Sequence, residues 1–197
     1  MSSIDIRQFF SAWLQAQSLS FDPAFEPWLE GMREHHFERE EHLVTAGQDS
    51  TRVFFLVSGL VRLYYTTPEG KERNKAFFGP LDATGAVSAA MTGQPAPFSI
   101  EALEPVQAVS VDFASMLQQV QSHPAINALY IRLLSGAFIR NEQREAMLLT
   151  CNAEERYLWL ADNEPHLLEQ VPQFHIASYI GVDPVSLSRI KRKLSSD

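Results

Sequence analysis

Residues 173–192 read QFHIASYIGVDPVSLSRIKR, and this stretch decides how the C-terminal part of the chain folds. Apolar residues recur at helical spacing on both sides of Gly181. They are Ile176, Ala177, Ile180, Leu187 and Ile190. Gly181 can adopt a positive φ without a Cβ clash, which a sharp turn between helices usually requires. Asp183 and Pro184 form a strong helix start, because the carboxylate caps the first turn and proline fits the first helical position. The pattern predicts a helix-turn-helix.

The second helix of this motif carries polar and basic side chains, which can reach base edges and phosphates. We expect the residues that contact DNA to be Gln173, Val185, Ser186, Ser188, Arg189, Lys191, Arg192 and Lys193. An ordinary helical hairpin with a basic end is the alternative interpretation. Because a small residue, a glycine, a capped helix and a basic outer face coincide here, the pattern favours DNA binding.

The distribution of charge agrees with a protein that touches DNA at one end. The chain of 197 residues has a net charge of −8, yet residues 173–197 carry four basic and two acidic side chains. The remainder is therefore acidic, at −10, which argues against a protein that coats nucleic acid non-specifically. Cys151 is the only cysteine, so neither an intrachain disulfide nor a four-cysteine cluster can form. The N-terminus has no signal-peptide pattern and the dense apolar run 53–57 is short, so we expect a cytoplasmic protein.

The rest of the sequence predicts an α+β fold with an N-terminal β-roll, or double-stranded β-helix, and flanking helices. Residues 4–33 look helical, with a second short helix starting at Asp22-Pro23, and from about residue 36 short β-like runs alternate with turn signals. Residues 67–70, Thr-Pro-Glu-Gly, fit a type I turn. Regularly spaced short strands indicate a barrel or roll. We predict a sensor domain over 1–121, a dimerisation helix over 122–150 and a DNA-binding domain over 151–197.

The longest helical stretch, residues 124–150, has a mostly apolar seam that needs a partner. We expect a dimer interface formed by Ile126, Tyr130, Leu133 and Ala137. Packing of the seam on the roll of its own chain is the alternative. A symmetric pair is favoured because a helix-turn-helix usually works as a dimer.

The order of roll, long helix and helix-turn-helix resembles the Crp/Fnr family of bacterial transcription regulators. LVTAGQDSTRVFFLVSGLVRLYY (43–65) resembles the opening of that family's roll, and VPQFHIASYIGVDPVSLSRIKRKL (171–194) resembles its helix-turn-helix very closely. The resemblance covers nearly the whole chain. It implies a homodimeric regulator that binds an inverted-repeat operator in double-stranded DNA, with RNA polymerase as a further candidate partner.

The sequence departs from the family's cyclic-nucleotide pocket at the positions that bind the nucleotide. Gly85 matches, but Ala86 stands where the family has glutamate, and Ala96 and Pro97 stand about where it has arginine and serine. We therefore expect a degenerate effector pocket at Gly85, Ala86, Val87, Ser88, Ala96 and Pro97. No arginine or lysine lies between Lys75 and Arg132, and a buried phosphate without a cation is costly, so we do not expect tight binding of cAMP. An empty pocket and an unidentified effector bound to the amides of 85–90 both remain open.

Two more departures concern the DNA-binding end. Pro184 and Val185 stand where many members begin the recognition helix with Arg-Glu, so the operator sequence does not carry over. The sequence ends at Asp197, three residues after Leu194, so we expect no C-terminal wing.

Two other classes of protein compete with a DNA-binding regulator. One is a ligand-sensing roll that has lost DNA binding. The other is a cupin-like metalloenzyme, with His35, His36 and His42 near the first strands. Adjacent residues of a strand point to opposite faces, so His35 and His36 are poor co-ligands. No nucleophile–base pattern is visible, and we expect neither an enzyme nor a metal or other cofactor.

Overall fold

The computed structural model describes residues 4–195. Its helices are α1 (Ile6–Ala16), α2 (Glu26–Gly31), α3 (Val87–Thr92), α4 (Phe113–Val120), α5 (Pro124–Thr150), α6 (Ala153–Asn163), α7 (Pro165–Gln170), α8 (Gln173–Tyr179) and α9 (Pro184–Leu194). Its strands are β1 (Arg33–Phe37), β2 (His42–Val44), β3 (Arg52–Ser58), β4 (Val61–Thr66), β5 (Glu72–Phe78), β6 (Ala83–Thr84), β7 (Ser99–Ala102) and β8 (Val106–Asp112).

The strands form two four-stranded sheets, in the orders β1-β8-β3-β6 and β2-β7-β4-β5. The pairs β1–β8 and β3–β8 are antiparallel, with Arg33 opposite Ser110 and Phe55 opposite Val109. The neighbours β8 and β3 are far apart in sequence, as in a roll that winds back on itself. This arrangement confirms the predicted α+β fold with an N-terminal β-roll.

The chain divides into two compact units. Unit 1 comprises the described part of Met1–Leu63 together with Phe77–Ser135, and unit 2 comprises Tyr64–Ala76 with the described part of Gly136–Asp197. The tip of the β4–β5 hairpin therefore belongs with the C-terminal helices, and α5 contributes residues to both units. The division predicted at residues 121 and 150 is a different one, and it stays a prediction.

Unit 1 has an aromatic core between its helices and one face of the first sheet. Phe10, Trp13, Phe25 and Phe55 are almost completely buried, and Trp13 meets Phe55 edge-on at a centroid distance of 4.8 Å. Asp5 caps α1, and its carboxylate accepts from the Gln8 amide. Residues 4–33 contain the two helical segments that the sequence predicts, because α1 ends at Ala16 and a helical turn capped by Asp22 begins at Pro23, ahead of α2.

The N-terminal part of α5 packs on this same core. Ile126 and Leu129 are fully buried there, and Tyr130 and Leu133 are partly buried against the cluster. Ile126 therefore has no surface left for a second chain, which corrects its assignment to a dimer interface. The large apolar side chains that α5 exposes are Ile131, Phe138, Ile139 and Leu149.

Candidate nucleic-acid interface

Helices α8 and α9 form the predicted helix-turn-helix. Gly181 has φ +72°, and a Cβ at this position would lie 3.1 Å from Nη1 of Arg156. The Val182 amide donates to the Ala177 carbonyl at 2.9 Å, which closes the turn. Ile176, Ala177 and Ile180 are fully buried and Leu187 is nearly so. The positive φ of this turn thus favours glycine, and the end of the Arg156 side chain would have to shift slightly to admit a Cβ.

The start of α9 is fixed by a side-chain cap. Asp183 accepts from the Ser186 amide at 2.8 Å and from the Ser186 hydroxyl at 2.7 Å. These hydrogen bonds from Ser186 hold the pKa of the Asp183 carboxyl below its usual value. Ser186 was predicted to contact DNA, but here its hydroxyl serves the cap.

Four of the predicted DNA-binding residues share the outward face of α9. They are Val185, Ser188, Arg189 and Arg192, all of them exposed. Spacings of three and four residues put these side chains on one side of a helix, opposite the buried Leu187. Val185 is 59% exposed although it is apolar, which leaves its methyl groups available to a partner such as the methyl group of thymine.

The remaining predicted residues have partners within unit 2. Lys191 donates from Nζ to Oε1 of Gln173 at 3.0 Å, which links the two helices of the motif. Lys193 forms an ion pair with Glu154 at 2.6 Å. These three side chains therefore make contacts with other side chains of unit 2 in addition to lying on the predicted DNA-binding surface.

Arg156 anchors the turn of the motif, and the sequence analysis did not identify it. Its guanidinium donates to the carbonyls of Leu148 at 2.8 Å, Cys151 at 2.9 Å and Ile180 at 3.3 Å. The carbonyls of Leu148 and Cys151 lie where α5 ends and α6 has not begun, and the last carbonyls of a helix lack partners within it. One side chain therefore joins the end of α5 to the helix-turn-helix.

The tip of the β4–β5 hairpin binds α8, and this contact was also missed. The Ser178 hydroxyl accepts from the Asn74 amide at 3.0 Å and donates to the Glu72 carbonyl at 3.2 Å. The Asn74 side chain is buried and donates to the His175 carbonyl at 3.0 Å. Arg144 of α5 completes the contact, since it donates to the carbonyls of Asn74 and Tyr179 at 2.8 and 3.0 Å.

Burial changes the acid–base properties of this region. The pKa values of Arg144 and Lys75 are lowered, mainly because burial disfavours their charged forms. Burial also raises the pKa of Glu164 and that of Tyr179, whose hydroxyl donates to Glu164 at 3.3 Å. The hairpin and the helices of unit 2 are therefore joined by a partly buried polar network.

The residues of the predicted effector pocket lie on and beside α3 in unit 1. A Cβ on Gly85 would lie 2.6 Å from the Arg52 carbonyl oxygen. The main chain at residue 85 therefore passes so close to the start of β3 that only glycine fits. Ala86 and Ala96 are buried, and the main chain of Ala96 bonds to Gly47 and Gln48. Of the other three, Val87 is half-buried while Ser88 and Pro97 are exposed. Alanine methyl groups thus stand at two of the three positions where the resemblance implies nucleotide-binding side chains, and Pro97 stands at the third.

A buried cation elsewhere in unit 1 was not foreseen. Arg62 of β4 donates to Glu101 of β7 at 2.7 Å, and both side chains are almost entirely buried. His42 lies 3.7 Å from the same carboxylate. The positive charge of Arg62 is therefore compensated within the sheet by Glu101.

The clustered histidines have separate partners. His35 bonds to the Ser110 hydroxyl at 2.8 Å, and His36 to Glu34 at 2.8 Å. Burial, together with the positive charges of Arg52 and His36, lowers the pKa of His35. Across residues 4–195 no group of three or more His, Cys, Asp or Glu side chains is placed to hold one metal ion. No helix in that range is long and apolar enough to cross a membrane.

Comparison with known proteins gives concordant results. The cyclic nucleotide-binding domain family matches residues 34–123. A CRP-like cAMP-activated global transcriptional regulator of Mycobacterium tuberculosis is 26% identical over 113 residues, which cover 57% of this chain and 50% of the relative. The chain thus spans about half the length of the curated relatives it matches.

Solved structures resemble the fold over most of its length. FixK2 from Bradyrhizobium japonicum superposes with a TM-score of 0.68 at 19% identity, covering 84% of this chain and 85% of FixK2. A protein from Eubacterium rectale assigned to the Crp/Fnr family of transcriptional regulators gives 0.71 at 14% identity, covering 96% and 88% of the two chains. Residues 34–123 thus match the cyclic nucleotide-binding domain family, and the chain has the same fold as these structural neighbours.

Proposed function

We propose that the protein is a sequence-specific DNA-binding transcription regulator that acts in the cytoplasm. The observation that carries this proposal is the outward face of α9, where Val185, Ser188, Arg189 and Arg192 are exposed on a helix fixed by a cap. The curated relatives are named as transcriptional regulators, which supports the same class of function and not an enzyme.

Arg189 is the residue that we expect to read a base. It lies one helical turn beyond Val185 on the same face, and its guanidinium can donate two hydrogen bonds to guanine in the major groove. Val185 or Ser188 would touch a neighbouring base. Arg192 lies further along the helix and would meet phosphates, whereas Lys193 would have to leave Glu154 to do so.

We propose further that two copies pair through α5. Ile131 and Phe138 are seven residues apart, which is two helical turns, and they are 56% and 67% exposed. Leu149 continues the exposed apolar surface near the end of the helix. Among the residues first predicted, Ala137 and the partly exposed sides of Tyr130 and Leu133 would border this face. Two copies would present two recognition helices to an inverted-repeat operator.

The effector pocket is proposed to be degenerate. Ala86 and Ala96 are buried and apolar, so neither can bind a ribose hydroxyl or a phosphate through its side chain. A phosphate buried there would lack a cationic partner from these positions, and burying an unpaired charge is energetically costly. We therefore propose that cAMP is not a tight ligand of this chain.

The experiment that tests DNA binding is selection from a pool of random duplexes with the purified chain. We expect enrichment of an inverted repeat with half-site centres about 10–10.5 base pairs apart. Arg189→Ala should weaken binding by about 1–3 kcal/mol for each half-site and relax specificity at one position of each, because each copy loses one bidentate contact.

Arg39→Ala is the matched control, because Arg39 is an exposed arginine of unit 1. A pool that shows no enrichment would instead favour a ligand-sensing module without DNA binding. If Arg189→Ala weakens every duplex equally, Arg189 contacts phosphate and the assignment to base reading is wrong.

A further inference from the structure

A groove of about 340 Å³ lies within unit 2 beside the start of α9. It is lined by Lys71 and Arg73 from the β4–β5 hairpin, by Phe174 and Ser178 of α8, and by residues 181–184. Two basic side chains from a distant part of the sequence thus stand next to the end of α9 that enters the major groove in helix-turn-helix complexes.

The hairpin holds these two cations in a fixed place. Ser178 bonds to the main chain on both sides of Arg73, to the Glu72 carbonyl and to the Asn74 amide. At the tip, the Gly70 amide donates to the Thr67 carbonyl at 2.9 Å, and the Thr67 amide donates to the Lys71 carbonyl at 2.8 Å. The backbone at Lys71 and Arg73 is therefore positioned before any partner arrives, which lowers the entropic cost of binding.

The charges of Lys71 and Arg73 are available. Both side chains are exposed, and within residues 4–195 neither forms an ion pair with a carboxylate. By contrast, Lys193 is paired with Glu154. The acidic neighbours are Glu69, Glu72 and Asp183. Two of these carboxylates have hydrogen-bond partners of their own. The Thr67 hydroxyl bonds to Glu69 and lowers its pKa, and Asp183 accepts from the Ser186 amide at the start of α9.

We propose that Lys71 and Arg73 form a second part of the DNA interface and neutralise phosphates that flank the major groove occupied by α9. This inference rests on the proposed function, since it requires that α9 bind DNA. Phosphates line both edges of the groove, so cations beside the start of the recognition helix meet the backbone once that helix is seated. These contacts position the protein and carry no sequence information.

The test is the salt dependence of binding to a duplex of mixed sequence, about 30 base pairs long, which spans two half-sites. The variant is Lys71→Gln with Arg73→Gln, measured by fluorescence anisotropy between about 50 and 200 mM salt. A dimer loses four phosphate contacts in this variant, so the slope of log K against log salt should flatten by about 3.6. Across that range the wild type should lose about 150-fold more affinity than the variant.

Two controls isolate the phosphate contacts. Arg7→Gln with Arg39→Gln removes the same charge from exposed positions of unit 1 and should leave the slope unchanged. Lys71→Arg with Arg73→Lys keeps both charges and should retain the wild-type slope. Because Lys71 and Arg73 are exposed, we expect both variants of these residues to keep the wild-type melting temperature.

The outcomes separate the two proposals. Absence of any binding by the wild type at low salt would overturn the proposed function itself. If the wild type binds and the Gln double variant keeps its slope, the hairpin does not contact phosphates and the inference is wrong. A loss of affinity with an unchanged slope would also overturn it, because the hairpin would then act only by supporting α8.

Discussion

Arg156 should be the side chain on which the stability of the helix-turn-helix depends most. Arg156→Met keeps much of the aliphatic length and removes three hydrogen bonds from a charged donor to the carbonyls of Leu148, Cys151 and Ile180. Such bonds contribute about 1.5–3 kcal/mol each when buried. The third bond is long at 3.3 Å and the guanidinium is half-exposed, so water can replace part of the loss. We expect about 3 kcal/mol of lost stability in total.

Hydrogen–deuterium exchange of the α8 and α9 amides measures this loss directly, because it reports the free energy of local opening. A change of about 3 kcal/mol corresponds to exchange about 150-fold faster. Arg189→Met is the matched control, since Arg189 is exposed in the same unit, and it should change the exchange rate less than about 3-fold. If Arg156→Met changes the free energy by less than about 1 kcal/mol, or no more than the control, the carbonyls do not depend on this guanidinium and the reasoning fails.

Four further results are expected. Gly181→Ala should destabilise unit 2 by about 1–2 kcal/mol in urea denaturation, because φ is +72° there, and a neutral result would show that the turn can rearrange. Phe138→Glu should give monomers in sedimentation while Gln143→Glu, at an exposed polar position on another side of the same helix, should not, and an unchanged dimer would exclude this face. Millimolar cAMP should barely change the melting temperature, since stabilisation follows the ratio of ligand to Kd, and a shift of several degrees at micromolar cAMP would contradict the pocket assignment. Burial raises the pKa of Glu164, so the protonated form fits the fold best and stability should fall as pH rises from 4.5 through the folded pKa. Glu164→Gln should remove that dependence in urea titrations, and a variant with the wild-type pH profile would assign it to another group.

The features that the sequence predicted well are those set by neighbouring residues. The turn at Gly181 and the cap at Asp183 each depend on a few adjacent positions, and both have the predicted geometry. The roll was predictable for a similar reason, because short apolar runs between turn signals mark strands even when their partners are unknown. The hydrogen bond from Gly70 to Thr67 likewise closes the predicted turn.

The features that the sequence did not reveal depend on which surfaces meet. Helix α5 has apolar residues on more than one side, so periodicity could not tell that Ile126 packs inward while Phe138 faces outward. The sequence suggests that Lys193 contacts phosphate, because its pairing with Glu154, 39 residues away, is seen only in the structure. The groove beside α9 could not be predicted for the same reason, because Lys71 lies more than a hundred residues before the motif.

The bond between the hairpin tip and α8 also sets an order of events during synthesis. The Asn74 amide and the Ser178 hydroxyl are separated by 104 residues, so Asn74 leaves the ribosome about 5–20 s before its partner. Until then the tip must keep its shape through its own turn, and α8 and α9 dock on a surface that was synthesised before them. A helix-turn-helix excised from this chain for transfer to another protein would lose that surface, so a working graft has to carry residues 64–76 along with it.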